Sequence, residues 1–330
     1  MSIPPFELNN NILNLTTKIT EKLTRLEMSI DRKKEDLYLR KISKIKSVNS
    51  SCAIEANTLS EEEVMTVING KSVLAPQNEI TEVKNVYNAY NNIADFNPYN
   101  VKSFLKAHKL LTTGLIKESG KFRDGNVGIF DGQNVIHMGA RPEYVQNLIT
   151  DLFKWAKATD VNPLVKSCIV HFEIEFIHPF NDGNGRIGRL WQSLILYKYN
   201  KIFEYLPIET LVYENQKKYY DALSKSKKDA SSTAFIEFML DMILQTIDKF
   251  GTIGSLIKVK NIDELTNKDK EVLKELINYF NKKEIIDIQI AVNILNKNEA
   301  NIRKYLRKFT SLNIIIPIGE TKGRKYKLNK

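Results

Sequence analysis

His178-Pro-Phe-Asn-Asp-Gly-Asn-Gly-Arg-Ile-Gly-Arg189 is the stretch from which the rest of the chain can be read. It follows an apolar run, Cys168-Ile-Val-His-Phe-Glu-Ile-Glu-Phe-Ile177, with the composition of a core helix. Pro179 disfavours helical geometry at His178, so the chain must turn out there. Asp182-Gly-Asn-Gly185 makes a loop of little bulk. From Arg186 the apolar residues Ile187, Leu190, Trp191, Leu194 and Ile195 restart a helix. Glycines that lead into a helix N-terminus expose main-chain N–H groups at the positive end of the helix dipole, which is an anion cradle. Arg186 and Arg189 are three residues apart and point to roughly one face. Asp182 is suited to a magnesium ion that bridges phosphates. A histidine, with an ordinary pKa of about 6.5, is available at His178 as a neutral base. A base, a metal ligand, a phosphate cradle and two guanidiniums are the parts that nucleotide transfer requires. No Walker or dinucleotide fingerprint accompanies them.

Outward from this segment the first half reads as helix. Ile12, Leu13, Leu15, Ile19, Leu23 and Leu26 set a helix over 10–28, and Leu37, Leu39, Ile42, Ile45 and Val48 a second toward Glu55. Ser60-Glu-Glu-Glu63 is a capping box ahead of a short helix through Val64 to Ile68. Further helices are expected over 82–95, 101–115, 142–155, 164–176 and 234–250. Between them, Asp131-Gly132 separates Val127-Gly-Ile-Phe130 from Asn134-Val-Ile-His-Met138, the pattern of a β-hairpin. Gly251-Thr-Ile-Gly254 reads as a joint. Beyond it, helices over 267–280 and 288–295, a third capped at Asn298-Glu299, and the runs Ile314–Ile318 and Lys325–Leu328 follow the order of a winged helix.

The chain has 330 residues, 42% of them hydrophobic, enough for two or three domains. It carries a net charge of +10, and residues 256–330 contribute +8 of it (17 Lys+Arg against 9 Asp+Glu). A basic tail on a nearly neutral body hints at an anionic partner, although a solvated lysine-rich surface explains it as well. No window has the roughly 20 apolar residues of a membrane helix, and the N-terminus does not read as a secretory signal. Cys52 and Cys168, the only cysteines, sit in helical patterns. A disulfide is not expected, and a cytoplasmic setting fits.

The segment His178–Arg189 resembles the Fic family, whose motif is His-x-Phe-x-(Asp/Glu)-Gly-Asn-Gly-Arg-x-x-Arg. Every fixed position is met. The resemblance covers the chain to about Phe250 and implies a mainly α fold: an N-terminal helical region over 1–100, a helical catalytic core with a hairpin flap over 101–250, and, as read above, a winged helix over 256–330. It implies transfer of AMP from ATP to a Ser, Thr or Tyr hydroxyl of a protein, or of the protein itself. In that reading His178 deprotonates the hydroxyl, Phe180 anchors the loop, and Asp182 binds Mg2+. Gly183, Asn184, Gly185 and Arg186 hold phosphates, and Arg189 takes the γ-phosphate. Doc-type toxins, which phosphorylate, carry Lys where Gly185 stands, so Gly185 favours AMP transfer.

Ser51-Cys-Ala-Ile-Glu55-Ala56 resembles the family's inhibitory motif, (Ser/Thr)-x-x-x-Glu-(Gly/Asn). The resemblance implies that Glu55 pairs with Arg189 and blocks the γ-phosphate site. The departure is Ala56, where Gly or Asn would end the helix more easily in left-handed geometry. The hairpin of Val127, Gly128, Ile129, Val135, Ile136, His137 and Met138 corresponds to the flap on which a target segment adds as a strand. Tyr219-Tyr220 resembles a pair near the adenine pocket, and helix packing explains it equally well. His171 reads as a core histidine, and His108 and His137 show no partners. Two rivals stand beside AMP transfer: removal of AMP at the same site, with Glu55 positioning water, and a DNA-binding regulator on a Fic fold. DNA binding through the winged helix is open but not favoured. A homodimer is also open, and no membrane partner is expected.

Overall fold

The computed structural model describes residues 3–29, 36–131, 134–257, 265–280, 283, 285–319 and 323–329. It divides into two units: Met1–Glu27 with Asp36–Ile247, and Met28–Glu35 with Asp248–Lys330. No helix among the described residues is long and apolar enough to cross a membrane.

The first unit opens with α1 (Asn10–Ser29), α2 (Asp36–Ile54) and α3 (Glu61–Ile68). The capping box forms as expected: Ser60 accepts from the Glu63 amide, and the Glu63 carboxylate accepts from the Ser60 amide at 2.8 Å. Next, α4 (Gln77–Asn91) begins five residues before the expected position, since Pro76 fixes the backbone ahead of Gln77 and the polar first turn hides the start from an apolar pattern. A 3-10 turn over Ile93–Asp95 and α5 (Val101–Thr112) follow.

The hairpin consists of β1 (Gly128–Asp131) and β2 (Asn134–Met138), antiparallel, with Gly128 opposite Met138 and a register shift between Ile129 and Phe130. Gly132, the turn residue named above, lies outside the described residues.

At the centre of the unit are α6 (Pro142–Ala158), α7 (Pro163–Ile177) and α8 (Asn184–Tyr199). Twelve of the fifteen residues of α7 are buried, on all sides. A helix apolar all round belongs inside a core. Then α9 (Ile208–Glu214), α10 (Gln216–Lys228) and α11 (Thr233–Ile257) close the bundle. Helix α11 runs on through Gly251–Gly254, so these glycines are helical, and the two units divide just before them, between Ile247 and Asp248. Cys52 and Cys168 are both free and buried.

In the second unit, α12 (Asn267–Phe280), α13 (Ile288–Leu295) and α14 (Glu299–Ser311) precede an antiparallel pair, β3 (Ile315–Ile318) and β4 (Lys325–Leu328). Ile286 bridges to Tyr326 beside them. Leu273, Leu276, Ile277, Ile302, Leu306 and Phe309 share one buried apolar core. Each such side chain contributes about 1.5–3 kcal/mol on burial.

Candidate functional site

Two tightly packed helices place the motif. The last residue out of α7, His178, sits in left-handed geometry (φ 53°, ψ 62°), with its amide still bonded to the Ile174 carbonyl at 2.9 Å. A residue other than glycine in that region carries about 1–2 kcal/mol of strain. Such strain is stored where the surroundings hold the residue firmly.

Phe180 fixes the loop from beneath. It is fully buried, stacks on the His108 ring with 3.5 Å between centroids, and packs tilted against Phe104 and stacked against Phe122. Asn184 closes the loop, since its side chain accepts from the Phe180 amide at 2.9 Å and donates to the Phe180 carbonyl at 2.8 Å. The Asn184 side chain is therefore committed to the loop itself, and only its main-chain N–H faces the helix start.

Gly183 caps α8 with φ 84°, and a Cβ there would stand 3.0 Å from Thr112 Cγ2 and 3.3 Å from His108 Nε2. Only glycine suits this position on both counts. The first N–H groups of α8 have no intrahelical acceptors and face the anion cradle.

His108, for which sequence showed no partner, turns out to hold this loop. Its Nδ1 accepts from the Gly120 amide at 3.0 Å, so the proton is on Nε2, which donates to the Asp182 carbonyl at 2.9 Å. Burial lowers its pKa to about 4, which keeps the ring neutral in the tautomer the loop needs. Nothing local in the sequence marks this role, because both contacts come from distant loops.

The two arginines are buried and each has a carboxylate. Arg186 Nη1 pairs with Glu82 Oε1, and its Nη2 donates to Asp182 Oδ1 at 2.9 Å. Glu82, 104 residues from Arg186, was not foreseen and reads in sequence as an ordinary helical glutamate. Arg189 donates to Glu55 Oε1 at 2.7 Å, to the Ser51 carbonyl at 3.0 Å and to Ser51 Oγ at 3.2 Å. Burial opposes the Arg189 charge, but Glu55, Tyr219 and Glu175 outweigh it and hold the pKa above the ordinary value. The Glu55 carboxylate also lies against Gly185: a Cβ on Gly185 would collide with Glu55 Oε1 and come within 3.0 Å of Arg189 Nη1.

Helix α2 ends at Ile54, and Glu55 follows it into a Schellman turn. The Ala56 amide bonds the Ala53 carbonyl at 3.0 Å and the Asn57 amide the Cys52 carbonyl at 3.1 Å, with Ala56 at φ 67°. The departure at position 56 therefore leaves the left-handed turn in place and strains it. Ala56→Gly is expected to stabilise the folded protein by roughly 0.5–1 kcal/mol, the relieved strain less the added chain entropy of glycine. A urea unfolding curve checks this; an unchanged or lower midpoint would mean that the turn carries no such strain.

The tyrosine pair splits. Tyr219 is 1% exposed, and its hydroxyl lies 3.1 Å from His171 Nε2. Tyr220 is 48% exposed, and its hydroxyl reaches the Ile54 carbonyl at 3.4 Å, beside Glu55. His171 is a satisfied core histidine: Nδ1 lies 2.7 Å from Gln192 Oε1, and burial lowers its pKa to about 3. Glu175, 3.9 Å from His171 Nε2, is pushed up to about 7 by burial.

On the hairpin, Gly128 stands opposite Met138, Ile129 opposite His137 and Phe130 opposite Val135, while Ile136 falls at the register shift and Val127 just before β1. The Val127 carbonyl accepts from Gly139 at 3.0 Å, and the Ala140 amide donates to the Ile177 carbonyl at 3.2 Å, so the hairpin base is tied to the end of α7. Among the described residues no cluster of three or more His, Cys, Asp or Glu side chains gathers as a metal site.

The comparisons with known proteins meet this geometry. The Fic/DOC family model matches residues 98–196, which include the whole of the motif. A Fic family protein from Desulfovibrio desulfuricans G20 has a solved structure similar to this one, with a TM-score of 0.73 and 32% identity over 99% of this chain and 98% of that one. Protein adenylyltransferase Fic of Nematostella vectensis is 24% identical over 61% of this chain and 47% of its own length. Protein adenylyltransferase fic-1 of Caenorhabditis elegans is 27% identical over 49% of this chain and 34% of its own. The chain thus spans less than half the length of these curated relatives. A likeness at 32% identity along almost the full length of both chains, with the family's motif intact at the mouth of α8, means that this chain belongs to the Fic family.

Proposed function

We propose that the protein transfers AMP from ATP to a Ser, Thr or Tyr hydroxyl of a protein, a partner or itself, and that Glu55 holds this activity in check. The observation that carries the reading is the convergence, at the start of α8, of a histidine fixed in a strained turn, an open row of N–H groups and two buried arginines. The names of the two curated relatives support it.

In the proposed reaction His178 takes the proton of the target hydroxyl. The hydroxyl oxygen forms a bond to the α-phosphorus, the bond from that phosphorus to the bridging oxygen breaks, and pyrophosphate leaves. Asn184 and Gly185 offer main-chain N–H groups to the phosphates, and Gly183, whose own amide donates to Asp182 Oδ1, shapes the turn that leads into them. Arg186 and Arg189 supply charge where the transition state gathers it. Asp182 has more than half of its side chain exposed, and one oxygen is already engaged by Gly183 and Arg186. That arrangement fits Mg2+, which takes one or two carboxylates and completes its shell with phosphates and water. When bound, the ion would neutralise phosphate charge. Tyr220 would meet the adenine, with Tyr219 supporting it 5.3 Å away between ring centroids. The hairpin would receive the target as an added strand.

Incubation with ATP labelled in the α-phosphate, followed by mass spectrometry of the acceptor, tests the reading. A gain of AMP on a hydroxyl residue supports it. A gain of phosphate, or label that never becomes covalent in either the wild type or a Glu55 variant, overturns it.

The second unit would be a winged helix over 256–330 that docks protein and does not read DNA. Of the basic residues on α14, Arg303 is paired with Glu299 at 2.5 Å and Lys308 with Asp269 at 2.5 Å. Only Lys304 and Arg307 remain on that helix without an ion pair among the described residues; Lys322 of the wing lies outside them. The full chain is expected to bind random duplex DNA weakly and to lose it between 50 and 200 mM salt, as phosphate contacts do. Sequence-selective binding that persists at physiological salt, in a gel-shift at two salt concentrations, would reverse this and make DNA the partner.

A further inference from the structure

Arg123 lies in the loop between α5 and β1 and is only 3% exposed. Among the described residues it makes no ion pair. Its guanidinium is spent on main-chain carbonyls from three segments. Nε donates to His178 at 2.7 Å, Nη1 to Gly125 at 2.7 Å, and Nη2 to Ala140 and, at 3.4 Å, to Ile177. Its own amide donates to the Pro179 carbonyl at 3.1 Å. Thus one side chain joins both ends of the hairpin, at Gly125 and Ala140, to the turn that carries His178.

The chemistry explains why an arginine is used. The Ile177 and His178 carbonyls end α7 and lack intrahelical donors, at the negative end of the helix dipole. A planar fork with five donors can bond carbonyls in three directions at once, which a single ammonium cannot. Burying a cation without a carboxylate is costly, and the cost is offset only by a full set of well-aimed acceptors. The left-handed conformation of His178 needs such a clamp, since it is strained in itself.

We propose that Arg123 is a positioning residue that holds the target-binding hairpin and His178 as one piece, and so sets the distance between the bound acceptor and its base. The proposal rests on the AMP-transfer reading. It predicts a specific division of effects. Arg123 touches neither the α8 cradle nor Arg189, so ATP affinity should survive its loss. The rate of transfer should not, because misplacement of reacting groups by about 1 Å can cost on the order of 100-fold.

The test uses the full chain carrying Glu55→Gly as parent, with labelled ATP and the protein itself as acceptor. Arg123→Lys is expected to lower the rate at saturating ATP by 10-fold or more, with the Kd for ATP within about twofold of the parent. Hydrogen exchange is expected to quicken together in segments 123–127, 139–142 and 176–180. A parent-like rate, or ATP affinity that falls in step with the rate, would overturn the proposal.

If Arg123→Lys does not fold, Gly139→Ala approaches the same joint from the other side. Its Cβ would press within 2.8 Å of Arg123 Nη2 and 3.2 Å of His178 Cβ, and the same division is expected. A parent that transfers no AMP would sink the proposed activity alone. Hydrogen exchange would then still decide the clamp: loosening of only one of the segments it joins would refute it.

Discussion

His178→Ala, made in the Glu55→Gly background, is expected to lower AMP transfer by about 10²- to 10⁴-fold, the usual loss on removing a general base. The fold should be unaffected. Alanine carries the same left-handed strain as histidine, and the bonds that fix the turn run to the main chain, from Arg123 to the His178 carbonyl and from the His178 amide to Ile174. ATP affinity should change little, because the N–H row of α8 and both arginines are untouched. Single-turnover transfer and a binding titration on the same preparation check the two halves. A rate near that of the parent would remove His178 from the chemistry, and a parallel loss of ATP binding would make its role structural.

What could be read from sequence was what lies close together along the chain. His178, Asp182, Gly183, Gly185, Arg186 and Arg189 fall within twelve residues, so spacing and turn chemistry were enough to infer a base, a cradle and two cations. Ser51 and Glu55 were legible through the resemblance. The residues that hold this machinery were not. Glu82 meets Arg186 across 104 positions, and His108 meets Asp182 across 74. No periodicity marks a partner at such range. Arg123 was silent for the same reason, and because its partners are carbonyls, which every residue has. Among the elements, α10 escaped notice since Gln216-Lys-Lys-Tyr-Tyr-Asp has only a thin apolar stripe. Gly251 and Gly254 lie within α11, since glycine weakens a helix by about 1 kcal/mol without ending it, and the two units divide just before them, between Ile247 and Asp248.

Glu55→Gly is expected to raise AMP transfer roughly 5- to 150-fold, the range of a coupling of about 1–3 kcal/mol between a control site and a binding site. The carboxylate is 28% exposed and lies on Arg189 at 2.7 Å, over Gly185. A γ-phosphate that needs Arg189 must displace it. Removing Glu55 leaves a buried guanidinium without its carboxylate, which destabilises the free protein and strengthens the pull on an incoming phosphate. Two consequences follow together: a lower unfolding midpoint without nucleotide, and a larger rise in that midpoint on adding ATP than the wild type gives. The strained turn at Ala56 bears on the size of the effect. Since it raises the energy of the locked conformation, Ala56→Gly should tighten the lock and lower basal transfer, opposite in sign to Glu55→Gly. The double variant should behave like Glu55→Gly, because a firmer helix end has nothing left to position. Equal transfer by wild type and Glu55→Gly would show that this residue does not restrain the reaction. If Glu55→Gly instead stopped the release of AMP from a modified acceptor, Glu55 would serve as the residue that positions water, and removal of AMP would become the main activity of the site.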